Sequence, residues 1–182
     1  MKKLFIAAFA LVALATAPKT YAQNKMVGGA EMYPTKDIVD NAVNSKDHTT
    51  LVAAVKAAGL VETLKSAGPF TVFAPTNEAF DKLPAGTVTT LVKPENKATL
   101  TKILTYHVLA GKFSSADIAA KIKEGKGKAE FKTVQGGTLT AMKQGKKIYL
   151  VDEKGGKSWI TIADVNQKNG VIHVVNTVLM PN

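Results

Sequence analysis

The chain has 182 residues, 46% of them hydrophobic, which is enough for one compact domain and excludes a disordered or low-complexity chain. It contains no Cys, which excludes disulfides, thiolate nucleophiles, iron–sulfur clusters and cysteine zinc sites. Its formal charge is +10 and every basic residue is Lys; this point charge lacks the planar fork that reads base edges, so sequence-specific nucleic-acid recognition is disfavoured while diffuse attraction to anionic glycan stays open.

Lys2 and Lys3 precede the apolar run LFIAAFALVALATA, Leu4 to Ala17, which is long enough for the core of a secretory signal and too short to span a bilayer comfortably. Small residues at Thr20 and Ala22 place the cleavage between Ala22 and Gln23, giving a signal peptide over residues 1–22. The chain is thereby expected outside the cytoplasm, periplasmic or extracellular, with no transmembrane segment after cleavage. Residues 23–34 are aperiodic and contain glycine, and they read as a tether to a domain over residues 35–182.

Ile38, Val39, Ala42 and Val43 form one helical face, and Leu51, Val52, Val55 and Ala58 form a second that Gly59 stops. Leu60 to Leu64 adds a turn. Phe70 to Ala74 is a buried strand ended by Pro75, after which Thr76 caps a helix running through Phe80. A further helix is predicted to start at Pro94, with Leu100, Ile103, Leu104 and His107 at three- and four-residue steps. Another starts at Ser114 or Ser115, turns Ile118 and Ile122 inward and ends at Gly125.

Beyond Gly125 the hydrophobic period falls to two. Strands are predicted over 129–134, 138–143, 146–151, 158–163 and 171–175, separated by QGG, QGK, EKGGK and QKNG turns. Helices first and strands later give an α+β domain. In the last strand Val171, His173 and Val175 share one side and Ile172 and Val174 the other, which predicts burial on both faces.

Catalytic signatures are missing from the sequence: there is no GxSxG, no Walker loop and no dinucleotide fingerprint, and the three His residues lack the spacing of a helical zinc site. His107 and His173 lie in apolar runs, where neutral, hydrogen-bonded core histidines are expected. The reading is therefore non-enzymatic, with no cofactor and no metal.

Three segments carry a resemblance. GPFTVFAPTNEAF (Gly68 to Phe80), Tyr106 and His107 within ILTYHVLAG, and NGVIHVVNTVLMP (Asn169 to Pro181) resemble, in this order, the two signature blocks and the central Tyr-His pair of the fasciclin domain family. The resemblance implies a wedge of two small β-sheets with several short helices on one side. It also implies an adhesion or interaction module that binds a cell-surface or matrix protein. In animal members the Tyr-His pair and an Asp-Ile pair are associated with integrin binding, and here these positions correspond to Tyr106, His107, Asp164 and Val165, the last departing from Ile. The same residues also read as internal ties, Tyr106 and His107 holding a helix to the sheet and Asp164 bonding turn donors. Two other occupants stay open. Some fasciclin-like proteins carry carotenoids, which makes a small apolar ligand an alternative, and the Lys-rich stretch from Lys121 to Lys132 makes anionic polysaccharide another.

Overall fold

The structure, a computed structural model, describes residues 24–182. The signal segment over residues 1–22 lies outside the described residues.

The chain opens with β1 (Lys25–Val27) and β2 (Ala30–Met32), a two-stranded antiparallel ribbon. This corrects the tether expected over residues 23–34, because Val27 and Met32 are buried in the domain core. Period-two burial over three-residue strands is too short to stand out from a loop in sequence, and tertiary packing decides it.

The helical half follows as α1 (Ile38–Ala42), a short 3₁₀ turn at Lys46–His48, α2 (Thr49–Ala58) and α3 (Val61–Lys65). Asp37 caps α1 by accepting from the Asp40 amide at 2.8 Å, and Gly59 ends α2 in the left-handed region at φ 73°. Next come β3 (Phe70–Pro75), α4 (Asn77–Asp81) capped by Thr76, and α5 (Thr87–Leu91), a helix the periodicity did not disclose. Pro94–Asn96 forms a 3₁₀ turn that leads into α6 (Lys97–Tyr106), so the helix proper begins three residues later than Pro94 suggests. After β4 (Val108–Ala110), α7 (Ser115–Glu124) starts on a capping box in which Ser114 and Asp117 bond each other's backbone amides. The remaining strands are β5 (Lys128–Lys132), β6 (Thr138–Gln144), β7 (Lys147–Val151), β8 (Lys157–Gln167) and β9 (Gly170–Val175).

The main sheet has the order β4-β3-β9-β8-β7-β6-β5, with β3 and β9 parallel and every other pair antiparallel. β8 divides it. Residues Lys157 to Trp159 pair with β7, whereas Ile160 to Gln167 pair with β9 through two shifts of register. Such bulges bend a strand and increase its twist, so two small sheets share β8 at an angle. A bridge between Leu109 and Thr133 brings the far edges together and curls the whole towards a barrel. This is the expected α+β wedge with short helices against one side.

Because β3 and β9 are buried on both faces, two cores form. Val72, Ala74, Ile172 and Val174 pack against the helices α1 to α6, while Phe73, Val175, Tyr106, Ile118 and Leu150 fill the interior of the curled sheet under α7. Each large apolar side chain so buried contributes roughly 1.5–3 kcal/mol.

One polar residue ties the layers. Asn169, buried in the turn between β8 and β9, accepts from the Ile38 amide at 3.1 Å and donates to the carbonyls of Leu64 at 2.7 Å and Ser66 at 2.9 Å. The glycine after it is equally constrained, since a Cβ on Gly170 would lie 2.1 Å from the Phe70 carbonyl oxygen. Asn169→Ala removes three hydrogen bonds and strands their partners, so it is expected to lower the unfolding free energy by about 3 kcal/mol in urea titration. The exposed neighbour variant Asn166→Ala is expected to change it by less than about 0.5 kcal/mol; equal effects would show that the Asn169 ties carry no special weight.

Candidate functional site

The positions singled out in sequence fall into two groups, one at the end of α6 and one at the bulge in β8. At the end of α6, Tyr106 is fully buried, donates its hydroxyl to the Thr138 carbonyl at 2.7 Å and accepts from the Glu153 amide at 3.2 Å. Burial, reinforced by the nearby carboxylates of Glu153 and Asp152, pushes its phenol up to about 12. His107 follows as the helix cap. Its Nδ1 lies 2.9 Å from the Ile103 carbonyl, and its Nε2 accepts from the Leu179 amide at 3.0 Å. An acceptor on one nitrogen and a donor on the other fix a neutral ring protonated on Nδ1. Burial pushes its pKa down to about 4.

The second group forms where β8 bulges. Asp164 takes φ 57°, a left-handed conformation that Asp tolerates better than most residues. Its amide donates to His173 Nδ1 at 3.2 Å, and His173 Nε2 lies 2.9 Å from the Phe113 carbonyl, which fixes a neutral ring protonated on Nε2. His173 is fully buried, stacks on Phe73 at 5.7 Å between ring centroids, and has its pKa lowered, chiefly by burial. The Asp164 carboxylate accepts from the Ser115 amide at 2.6 Å and from the Ser115 hydroxyl, at the start of α7. Burial favours its protonated form, yet the Ser115 bonds and the charge of Lys25 outweigh it and hold the carboxyl below the ordinary range. Val165 is buried and pairs with Ile172.

The fold therefore joins Ser115, Asp164 and His173, a proximity that sequence separation concealed. The connectivity is not that of a nucleophile and its base: the Ser115 hydroxyl bonds the carboxylate, and His173 bonds a backbone amide and a backbone carbonyl. His48, the third histidine, is buried with Ser45 Oγ 2.8 Å from its Nδ1, and burial lowers its pKa as well. Among the described residues no three His, Asp or Glu side chains gather as metal ligands, and no helix is long and apolar enough to cross a membrane.

An apolar cavity of about 70 Å³ lies between α1, α2, α3 and β3, lined by Val39, Val55, Leu64, Val72 and Ile172 among others. It is smaller than the roughly 150 Å³ that admits benzene to an engineered protein cavity. His107 reaches its wall with both ring nitrogens already bonded.

The buried histidines give stability a pH dependence of definite sign. With a folded pKa of about 4 against an ordinary 6.5, His107 takes up its proton more readily when unfolded. Its contribution is complete above pH 6.5 and is lost as pH falls towards 4, amounting to about 3 kcal/mol; the lowered values of His48 and His173 act in the same direction. Chemical denaturation at steps between pH 7 and 4.5 should show this decline, and His107→Asn should flatten it. An unchanged slope in a folded variant would contradict the assignment.

Comparison with known proteins agrees with this geometry. The profile of the fasciclin domain matches residues 46–181. Protein sll1483 of Synechocystis sp. (strain PCC 6803) is 44% identical over 163 residues, covering 90% of this chain and 83% of that protein. The cell surface glycolipoprotein MPB83 of Mycobacterium bovis is 36% identical over 166 residues, covering 88% and 68%. Among solved structures, a domain pair from the insect cell adhesion molecule fasciclin I superposes with a TM-score of 0.70 at 16% identity, covering 80% of this chain and about half, 51%, of that one. With the signature segments placed as described and the profile spanning most of the chain, this protein belongs to the fasciclin domain family.

Proposed function

We propose that the chain is an exported, non-enzymatic interaction module that attaches cells to one another or to extracellular material through its surface. The observation that supports this most is the commitment of Tyr106, His107 and His173 to internal hydrogen bonds, which leaves these signature groups as struts and puts recognition on exposed residues of the scaffold. The names of two similar proteins, a cell surface glycolipoprotein and a cell adhesion molecule, point the same way. Asp164 alone of the four family positions retains partial exposure, and its carboxylate is held by Ser115. We therefore assign Tyr106, His107 and Val165 to the fold and Asp164 to the α7 junction. Carriage of a carotenoid ranks second, because a polyene would have to part α2 and α3 from β3 to enter a cavity of about 70 Å³.

Deleting the coding region in the native host is expected to reduce cell–cell or cell–surface attachment, and purified residues 23–182 added back should restore it. Attachment that is unaltered by deletion, or turnover of a substrate by the purified protein, would overturn the proposal.

A further inference from the structure

Three shallow depressions on the surface run into one another. The first lies between α7 and the loop after it, with Lys123, Lys126 and Lys143 on its walls. The second shares Lys143 and Ala119 with it and adds Lys146 and Lys147 from the β6–β7 hairpin. The third shares Lys147, Ile160 and Thr161 with the second and ends at Trp159, beside Gln144 and Asn176. Together they form one trough with five lysines on its walls and no acidic residue among them.

All five lysines are exposed, and among the described residues the ion pairs are made by Lys65 and Lys128 instead. Gathering like charges without neutralising them costs self-repulsion that a surface built only for solubility avoids by interspersing the two signs. The Lys121 to Lys132 stretch that stands out in sequence is thus divided. Lys123 and Lys126 enter the trough, while Lys128 pairs with Glu130 at 3.1 Å. The rest of the charge comes from the β6–β7 turn, which is distant in sequence.

We propose that this trough binds a linear anionic polysaccharide, of the class that carries carboxylate or sulfate groups at regular intervals. Lysine ammonium groups suit such a chain because they attract charge without demanding a fixed planar partner. At one end of the trough Trp159 lies 4.9 Å from Tyr149 between ring centroids, and the Lys157 ammonium is 5.6 Å from the Tyr149 ring. Of the two rings, tilted 44° to each other, Trp159 lines the trough and offers an apolar face on which the C–H face of a sugar ring can rest, with the Gln144 and Asn176 amides beside it for hydroxyl groups. Single-stranded nucleic acid is a poorer match, since its grooves set aromatic rings along the path of successive bases and here they stand at one end only. The middle of the trough is lined by Ser115 and Ala163, next to Asp164, but not by Tyr106, His107 or Asp164 itself. Polysaccharide binding deepens the attachment reading by naming a partner class, and the two fail separately because binding is scored on purified protein with a defined polysaccharide and attachment is scored on cells.

The test uses residues 23–182 with labelled alginate, neutral dextran and an oligothymidylate of about 20 nucleotides. Alginate is expected to bind, to lose affinity steeply as salt rises from about 50 to about 300 mM, and to alter the emission of Trp159, the single tryptophan of the chain. The variant Lys143→Gln/Lys146→Gln/Lys147→Gln should weaken binding about tenfold or more, and Trp159→Phe should weaken it with little change in the salt dependence. A control of equal charge change, Lys36→Gln/Lys56→Gln/Lys93→Gln, should alter it by less than about twofold. Thermal melts confirm that each variant is folded. Equal losses in the two triple variants, absence of alginate binding, or tighter binding of the oligonucleotide at matched charge would each overturn the assignment.

Discussion

The parallel pairing of β3 with β9 is the constraint on which the molecule depends. Six residues of each strand run side by side, from Phe70 opposite Gly170 to Pro75 opposite Val175, with apolar layers on both faces. A parallel pair requires a long crossover, and nearly a hundred residues lie between these strands; that excursion holds α4 to α7 and β4 to β8, while β1, β2 and α1 to α3 precede it. The helices before and after β3 cover one face, and the curled antiparallel strands close over the other. A Cβ at Gly170 would strike the Phe70 backbone, which accounts physically for a glycine at the start of the last strand.

Burial on both faces creates a polar problem that the histidines and their neighbours solve. Thr71 accepts the Phe113 amide at 2.8 Å and donates to the Gly111 carbonyl at 2.7 Å, inside the fold. His173 joins β9 to the bulge in β8 and to the segment before α7, and His107 joins α6 to the chain after β9. Each ring uses both nitrogens. An unpaired buried polar group costs about 1–3 kcal/mol, so these bonds are requirements of the architecture before they are anything else. Around the β3–β9 pair, neutral and bonded polar groups thus hold the shape, and the lysines stand on the surface.

Much of this was legible in the sequence where a residue's local chemistry and its tertiary role coincide. Gly59, Thr76 and the Ser114–Asp117 pair mark helix ends whatever surrounds them, and the two-sided apolar pattern of Val171 to Val175 foretold a strand buried on both faces. The signature segments gave the family and with it the wedge. Other features depend on contacts between distant residues. The short β1–β2 ribbon exists because Val27 and Met32 find a core built from residues far along the chain, and β8 runs beyond Ala163 because β9 supplies partners for Val165 to Gln167. The candidate site shows the same limit. Its residues could be named, but the Ser115–Asp164 junction and the sharing of lysines between α7 and the β6–β7 hairpin arise only when the sheet curls.

The central claim is that the signature histidines are neutral internal ties and not exposed or reactive groups. Nitrogen NMR of the folded protein labelled in its imidazole rings tests it most directly. His107 is expected to carry its proton on Nδ1 and stay neutral down to about pH 5, and His173 to carry its proton on Nε2 and titrate below its ordinary value. Either ring titrating near its ordinary value of about 6.5 while the fold persists, or exchanging freely between tautomers, would contradict it.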